Sequence, residues 1–271
     1  MADVYGAITD AALNRIVGFA HVRAPFLFNY VAPSLQVVLD ADQNFAGLQD
    51  LWLTCAPVPD SPLPGVPKYR RMPPFQLPGI PIGLPYSIQI VDAKIDFHPG
   101  NEVVLPEELR PPLGGQGIAL KAQLLFGLSC VPDGIVETLT RQQFGLTDTI
   151  PRFSVLPVTH LECFVLDLYA TGQLAVRTTP QPGPYPLQQV RLEVDGIEIV
   201  DITPKGLEGA IECYLRAMLK GYVLPRLVLG LEDLVLRTLG ITFTPHLTPA
   251  LPNNPAAEQD ELRVWLDLEV S

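Results

Sequence analysis

The chain contains 271 residues, with 18 Lys or Arg against 29 Asp or Glu, so its formal net charge is −11. Phosphate groups are neutralised by clustered Lys and Arg, so this acidic balance argues against nucleic acid and against docking on anionic lipid. A hydrophobic content of 48% excludes global disorder. The 29 prolines exclude a helix bundle, because an internal proline removes a helix hydrogen bond.

Cysteine usage and the hydrophobic runs indicate the cellular setting. The four cysteines are widely spread and form no Cys-x-x-Cys pair, so we expect free thiols that mostly lie in the core: Cys55, Cys130, Cys163 and Cys213. The N-terminus has neither the basic nor the apolar region of a signal peptide, and no run of 18 apolar residues is present. Together these features predict a cytoplasmic protein without a transmembrane segment.

The first third of the chain combines a short helix with short strands and a proline-rich segment. Thr9-Asp10 precedes a helical pattern that places Ile8, Ala12, Ile16 and Phe19 near one face. Short strands are predicted at 35–39 and 51–55. Ten of the residues in 57–85 are proline, which predicts an extended surface loop.

Long strands dominate the middle of the chain. Apolar residues alternate over 118–130, 161–176 and 190–202, and over 86–97 with a change of phase near Val91 that predicts a bulge or a strong twist. Asp195-Gly196 fits either a hairpin turn or a bulge. The segment 101–117 is predicted to be a loop, and a final strand is predicted at 262–270.

The C-terminal third contains the pattern of one long helix over 207–223. Glu208 lies early and Lys220 late, which matches the helix dipole, and Pro225 ends or kinks the helix. Its apolar stripe includes Ile211, Leu215, Met218 and Tyr222. The predicted fold class is therefore α+β: one domain over 1–271, with a long, highly curved antiparallel sheet wrapped around this C-terminal helix and a short N-terminal helix.

No motif for catalysis or for a metal ion is visible. The four histidines are scattered, no Gly-x-Ser-x-Gly elbow occurs, and the cysteines lie in apolar patterns where a thiol is inert. The acidic residues of the loops are interpreted as solvated charges whose spatial pairing a sequence does not show: Glu107, Glu108, Glu258, Asp260 and Glu261. We therefore expect a protein that is not an enzyme, with no catalytic residue, no metal site and no cofactor.

The stretch Cys213-Tyr-Leu-Arg-Ala-Met-Leu-Lys-Gly-Tyr-Val-Leu-Pro225 resembles the helix of tubular lipid-binding (TULIP) domains, which include the bactericidal/permeability-increasing-like proteins. The order of elements over roughly 86–270 is similar to theirs. The resemblance implies an apolar groove between sheet and helix that accepts acyl chains. That groove would be lined by Phe164, Leu166 and Leu168 on the sheet and by Ile211, Leu215, Met218 and Tyr222 on the helix.

Two functions follow from these expectations. The first is non-enzymatic binding of a lipid or another apolar small molecule in the groove. The alternative is a structural or assembly subunit of a larger complex, with a protein partner or a second copy of the chain, since apolar loops and only 17% charged residues suit a subunit surface. Apolar residues on both faces of some strands also fit a core that protein covers on both sides.

Overall fold

The computed structural model describes residues 2–42, 45–76, 83–109, 111–129, 158–180, 187–203, 215, 219, 228–230, 236–238, 241–248, 251 and 253–270. The helix α1 (Asp10–Arg23) is the one α-helix among the elements of these residues, and single 3₁₀ turns lie at Pro25–Leu27 and Glu107–Leu109. The strands are β1 (Val4–Thr9), β2 (Asn29–Ala32), β3 (Ser34–Leu39), β4 (Phe45–Leu51), β5 (Arg70–Arg71), β6 (Phe75–Gln76), β7 (Gly83–Leu84), β8 (Tyr86–Phe97), β9 (Gly117–Leu128), β10 (Glu162–Thr179), β11 (Leu187–Thr203), β12 (Val228–Gly230), β13 (Leu236–Thr238), β14 (Ile241–Leu247), β15 (Ala256–Glu258) and β16 (Glu261–Val270).

The strands form two main sheets. The larger has seven strands in the order β12-β11-β10-β9-β8-β2-β5, and the other has the order β1-β16-β14-β13 with β15 also paired to β16. The larger sheet is mixed, because β2 pairs antiparallel with β8 but parallel with β5. Two-stranded pairs are formed by β3 with β4 and by β6 with β7.

The predicted fold class is wrong. The described residues are mostly β, the larger sheet is mixed, and the one α-helix among them has 14 residues and lies near the N-terminus. The structure has no long C-terminal helix among its described residues, and the segment 207–223 lies outside them except for Leu215 and Leu219, which are buried. The spacing of apolar residues within one segment does not determine which elements form the centre of the fold. The long strands with alternating apolar residues make up most of the described structure instead.

The predicted strands agree with the structure better than the predicted architecture does. The predicted strand at 86–97 is β8, and the predicted alternation at 118–130, 161–176 and 262–270 corresponds to β9, β10 and β16 within a few residues. The strand expected at 51–55 is wrong, because β4 ends at Leu51. Asp195-Gly196 is not a hairpin turn, since β11 continues through it from Leu187 to Thr203.

The chain divides into two compact units, of which the first comprises Met1–Gly18, Asp92–Ala122 and Asp167–Ser271. In this unit β1 pairs antiparallel with β16 from Val4 opposite Leu266 to Thr9 opposite Glu261. Thr9 caps α1 by accepting a hydrogen bond at its Oγ1 from the Ala12 amide, as the sequence predicts. One core cluster is formed by Phe97, Ile118 and Ala257, with Leu13 and Leu262 among the residues packed against it.

The second unit comprises Phe19–Val91 and Gln123–Leu166. Its most deeply buried side chains include Tyr30, Tyr86, Ile88 and Phe126. A disulfide joins Cys55 to Cys163, whose Cα atoms lie 5.6 Å apart. The prediction of free thiols is therefore wrong for these two cysteines, while Cys130 and Cys213 lie outside the described residues.

The proline-rich segment 57–85 is not uniformly irregular where it is described. It contributes the two-residue strands β5, β6 and β7, and it buries Val58 and Met72. The Met72 amide donates to the carbonyl oxygen of Val31 over 2.8 Å, which continues the contact of β5 with β2. Residues 77–82 of this segment lie outside the described residues.

Candidate functional site

The predicted ligand-binding residues of the sheet are core residues. Phe164, Leu166 and Leu168 alternate along β10 and are all buried. Phe164 lies near Phe126, with their ring centroids 6.5 Å apart. Of the four predicted helix residues, Leu215 is fully buried, and Ile211, Met218 and Tyr222 lie outside the described residues.

A cavity of about 490 Å³ lies in the first unit, at the connection between β8 and β9. We call it the apolar cavity. Its lining is mostly aliphatic: Gly100, Asn101, Val103, Val104, Leu105, Pro111, Pro112, Leu113 and Ala119. Val103, Leu113 and Ala119 form a buried cluster, whereas Val104 is 87% exposed. The cavity therefore has a buried aliphatic base and an exposed valine at its rim.

Side-chain hydrogen bonds hold this connection in place. Asp96, near the end of β8, accepts hydrogen bonds at its Oδ2 from the amides of Glu102 and Val103, over 2.8 and 2.7 Å. His98 donates from its Nδ1 to the carbonyl oxygen of Leu113 over 2.7 Å. Gly100 has φ of +79°, which few other residues adopt, and a Cβ there would lie 3.2 Å from the Leu113 Cβ.

Three carboxylates converge close to the residues that line the apolar cavity. One carboxylate oxygen from each of Asp10, Asp96 and Asp260 lies within 4.8 Å of those of the other two. We call these residues the acidic cluster. Asp10 begins α1, Asp96 lies in β8, and Asp260 lies between β15 and β16. The antiparallel pairing of β1 with β16 brings Asp10 and Asp260 together, and the Asp10 amide donates to the Asp260 carbonyl oxygen over 3.1 Å.

Two residues of the acidic cluster are buried, Asp260 is half-buried, and their carboxylates are incompletely hydrogen-bonded. Asp10 is 5% exposed and Asp96 is 0% exposed. One carboxylate oxygen of each residue is buried without a hydrogen-bond partner among the described residues: Asp10 Oδ2, Asp96 Oδ1 and Asp260 Oδ1. Within the same described part of the chain, no Lys or Arg forms an ion pair with any of them. Buried charges normally have a partner, so this arrangement is exceptional.

Electrostatic repulsion within the acidic cluster is large when all three groups are ionised. At an effective dielectric constant of about 20, two unit charges 4.8 Å apart repel by about 3.5 kcal/mol. Burial raises the pKa of the Asp10 carboxyl above its ordinary value, and the negative charges of Asp260, Glu102 and Asp96 raise that pKa further. Chemically, such a cluster can retain a proton or bind a cation, since either relieves the repulsion.

Sequence reasoning did not bring these three residues together. The sequence pattern predicts that Asp260 is a solvated loop charge, and it places Asp10 only at the start of a helix. The sequence around Asp96 does indicate an unusual carboxylate. Asp96 lies between Ile95 and Phe97 near the end of an apolar strand, where burial of an unpaired carboxylate costs free energy. No signal in the sequence indicated that its partners are residues 86 positions before and 164 positions after it.

Comparisons with known proteins do not identify a relative. No protein-family model matches the sequence. No curated protein matches it either. None of the helices within the described residues has the length and the apolar character needed to cross a membrane.

Proposed function

We propose that this protein is a non-enzymatic binding protein that takes an apolar small molecule or an acyl chain in the apolar cavity. The observation that carries the proposal is the cavity itself, because about 490 Å³ lies within the range of about 300–1,000 Å³ found for small-molecule sites. The ligand class is the one implied by the resemblance to TULIP domains. The proposed site differs from the sheet–helix groove that the resemblance implies.

The chemistry of the lining favours an apolar ligand. Among the described lining residues Asn101 has the only polar side chain, and its Nδ2 already donates to Asp260 Oδ2 over 3.0 Å. Water in the cavity therefore finds few partners, and an apolar ligand displaces it without breaking good hydrogen bonds. Each additional buried methylene contributes about 0.8 kcal/mol, so the affinity for a homologous series of fatty acids should rise about fourfold per methylene until the cavity is full.

Displacement of a fluorescent fatty acid by straight-chain acids of increasing length tests this proposal. The variant Val104→Asp places a charge at the exposed rim of the cavity, where folding should tolerate it, and should weaken binding at least about tenfold. Val22→Asp is a matched control, because Val22 is also highly exposed but lies on α1 in the second unit. Absence of binding to the wild type, or equal binding by both variants, would refute the proposal.

Assembly into a larger particle is a second candidate function. The part of α1 in the second unit exposes Phe19 by 62% and Val22 by 58%. Residues three apart lie on the same side of a helix, so the two side chains form an apolar surface. A protein partner or a second copy would bury it, and light scattering should then show that Phe19→Asp reduces an oligomer to a monomer. A wild type that is monomeric at high concentration would count against this function.

The disulfide bears on the compartment. The expectation of a cytoplasmic protein depended in part on four free thiols, and two of these cysteines are joined as Cys55–Cys163. Disulfides persist in oxidising compartments and are reduced in the cytosol, so the bond favours an oxidising compartment for the proposed binding protein. Purification without reductant and mass analysis of the tryptic peptides would show whether the bond is formed.

A further inference from the structure

The acidic cluster has the composition and geometry of a site for a hard divalent cation. We propose that Asp10, Asp96 and Asp260 together bind one calcium ion. The site adjoins the apolar cavity, since the lining residues Asn101 and Val103 donate hydrogen bonds to Asp260 and Asp96, but the three carboxylates themselves do not line the cavity.

The spacing of the carboxylates fits a single ion. Oxygens bound to calcium lie about 2.3–2.6 Å from it, so two of them on opposite sides are about 4.6–5.2 Å apart. One oxygen from each of the three carboxylates lies within 4.8 Å of the other two. Three carboxylate oxygens this close together can converge on one calcium ion with small adjustments of their side chains.

Unsatisfied oxygens provide the second, independent observation. Asp10 Oδ2 and Asp96 Oδ1 belong to side chains that are more than nine-tenths buried, yet neither atom has a hydrogen-bond partner among the described residues. Asp260 Oδ1 is also buried without such a partner. Buried polar atoms are almost always satisfied, so an unpartnered carboxylate oxygen in each of the three residues points to a positively charged partner.

The other oxygens of the same carboxylates are held by the surrounding chain. Asp96 Oδ2 accepts from two backbone amides, and Asp260 Oδ2 accepts from Asn101. Asp10 Oδ1 accepts from the amide of Ala11. Donors of this kind orient metal-binding carboxylates in known metal sites.

The donor set favours calcium over other cations. Zinc prefers nitrogen and sulfur ligands, and the acidic cluster contains neither histidine nor cysteine. Magnesium demands a near-ideal octahedron with ligands at about 2.0–2.1 Å and usually keeps several of its waters, so a site made of three protein carboxylates suits it less well. Calcium accepts longer distances and irregular geometry, which suits carboxylates from three separate elements.

Calorimetric titration of the full chain, freed of metal by dialysis against a chelator, tests this proposal. We expect one calcium ion per chain and weaker binding of magnesium. Asp96→Asn keeps an oxygen that can accept the two backbone hydrogen bonds but removes the charge, and should weaken calcium binding at least about tenfold. Asp92→Asn is the matched control, because Asp92 lies on the same strand and is exposed. It should bind calcium as the wild type does.

Several outcomes would overturn the proposal. These are no heat of binding up to millimolar calcium, tighter binding of magnesium than of calcium, or calcium affinity that Asp96→Asn leaves unchanged. If Asp96→Asn fails to fold, as judged by circular dichroism, Asp260→Asn is measured in its place with the same expectation. Val104→Asp should leave calcium binding intact, which separates failure of the calcium site from failure of the proposed ligand cavity.

Discussion

Removing the disulfide between Cys55 and Cys163 should destabilise the protein strongly. The two residues are 108 positions apart, so the bond closes a long loop in the unfolded chain. In the chain-entropy model, a loop of this length removes about 16 cal/mol/K of entropy from the unfolded state, which corresponds to about 4.8 kcal/mol at 25 °C. The double substitution Cys55→Ser and Cys163→Ser should therefore lower the free energy of unfolding by up to about 4.8 kcal/mol.

Urea unfolding with and without reductant measures this effect. Reduction should destabilise the wild type by about the same amount as the double substitution, and it should move the urea midpoint with little change in other properties of the folded state. For 271 residues unfolding together, about 4.8 kcal/mol corresponds to a melting temperature lower by about 8 °C. The double variant serves as the control, because reductant should not change its stability.

Two results would refute this reasoning. If alkylation of the unfolded, unreduced chain labels all four cysteines, the bond is not formed in solution. If the bond is formed but its loss costs less than about 1 kcal/mol, the unfolded state is not constrained by the loop as the entropy model requires.

Three further predictions concern stability. Gly127→Ala should cost about 1–3 kcal/mol, because a Cβ there would lie 2.8 Å from the Cys55 Sγ, whereas Gly6→Ala meets no atom within 4 Å and is the control in the same denaturation assay. Asn14→Ala should cost about 2 kcal/mol, since the Asn14 amide both donates to and accepts from the backbone of Ile95 at 2.8 Å; a cost below about 0.5 kcal/mol would contradict this. Calcium at 100 times its dissociation constant should raise the free energy of unfolding by about 2.7 kcal/mol, and a melting temperature independent of calcium would count against the acidic cluster as its site.

Strands were predictable because their signal is local. The alternation of Phe164, Leu166 and Leu168 along β10 reflects the two-residue period of an extended chain with one buried face. The start of α1 was predictable for the same reason, since the cap at Thr9 involves only the first turn. The buried face of α1 was not predictable, because Ile16 and Phe19 of the predicted apolar face are exposed. The strands that pack against a helix decide which of its sides is buried. The periodicity of the helix sequence carries no information about the position of those strands.

The candidate sites depend on contacts between distant residues, which no local sequence pattern predicts. A cavity is the space left between packed residues, so the lining of the apolar cavity follows from how the connection of β8 to β9 folds back on β9. The acidic cluster joins Asp10, Asp96 and Asp260 from three distant parts of the chain. The sequence contains no spacing between them that resembles a metal motif.

By itself, the sequence determined the acidic charge, the β-rich strands of the middle of the chain and the start of the N-terminal helix, because composition and short-range periodicity act residue by residue. Tertiary structure alone decided the sheet order, the mixed pairing of β2 with β5 and β8, the Cys55–Cys163 bond and the convergence of the acidic cluster. The physical reason is the same in each case. These features depend on which distant segments come into contact, and that is set by the packing of the whole chain.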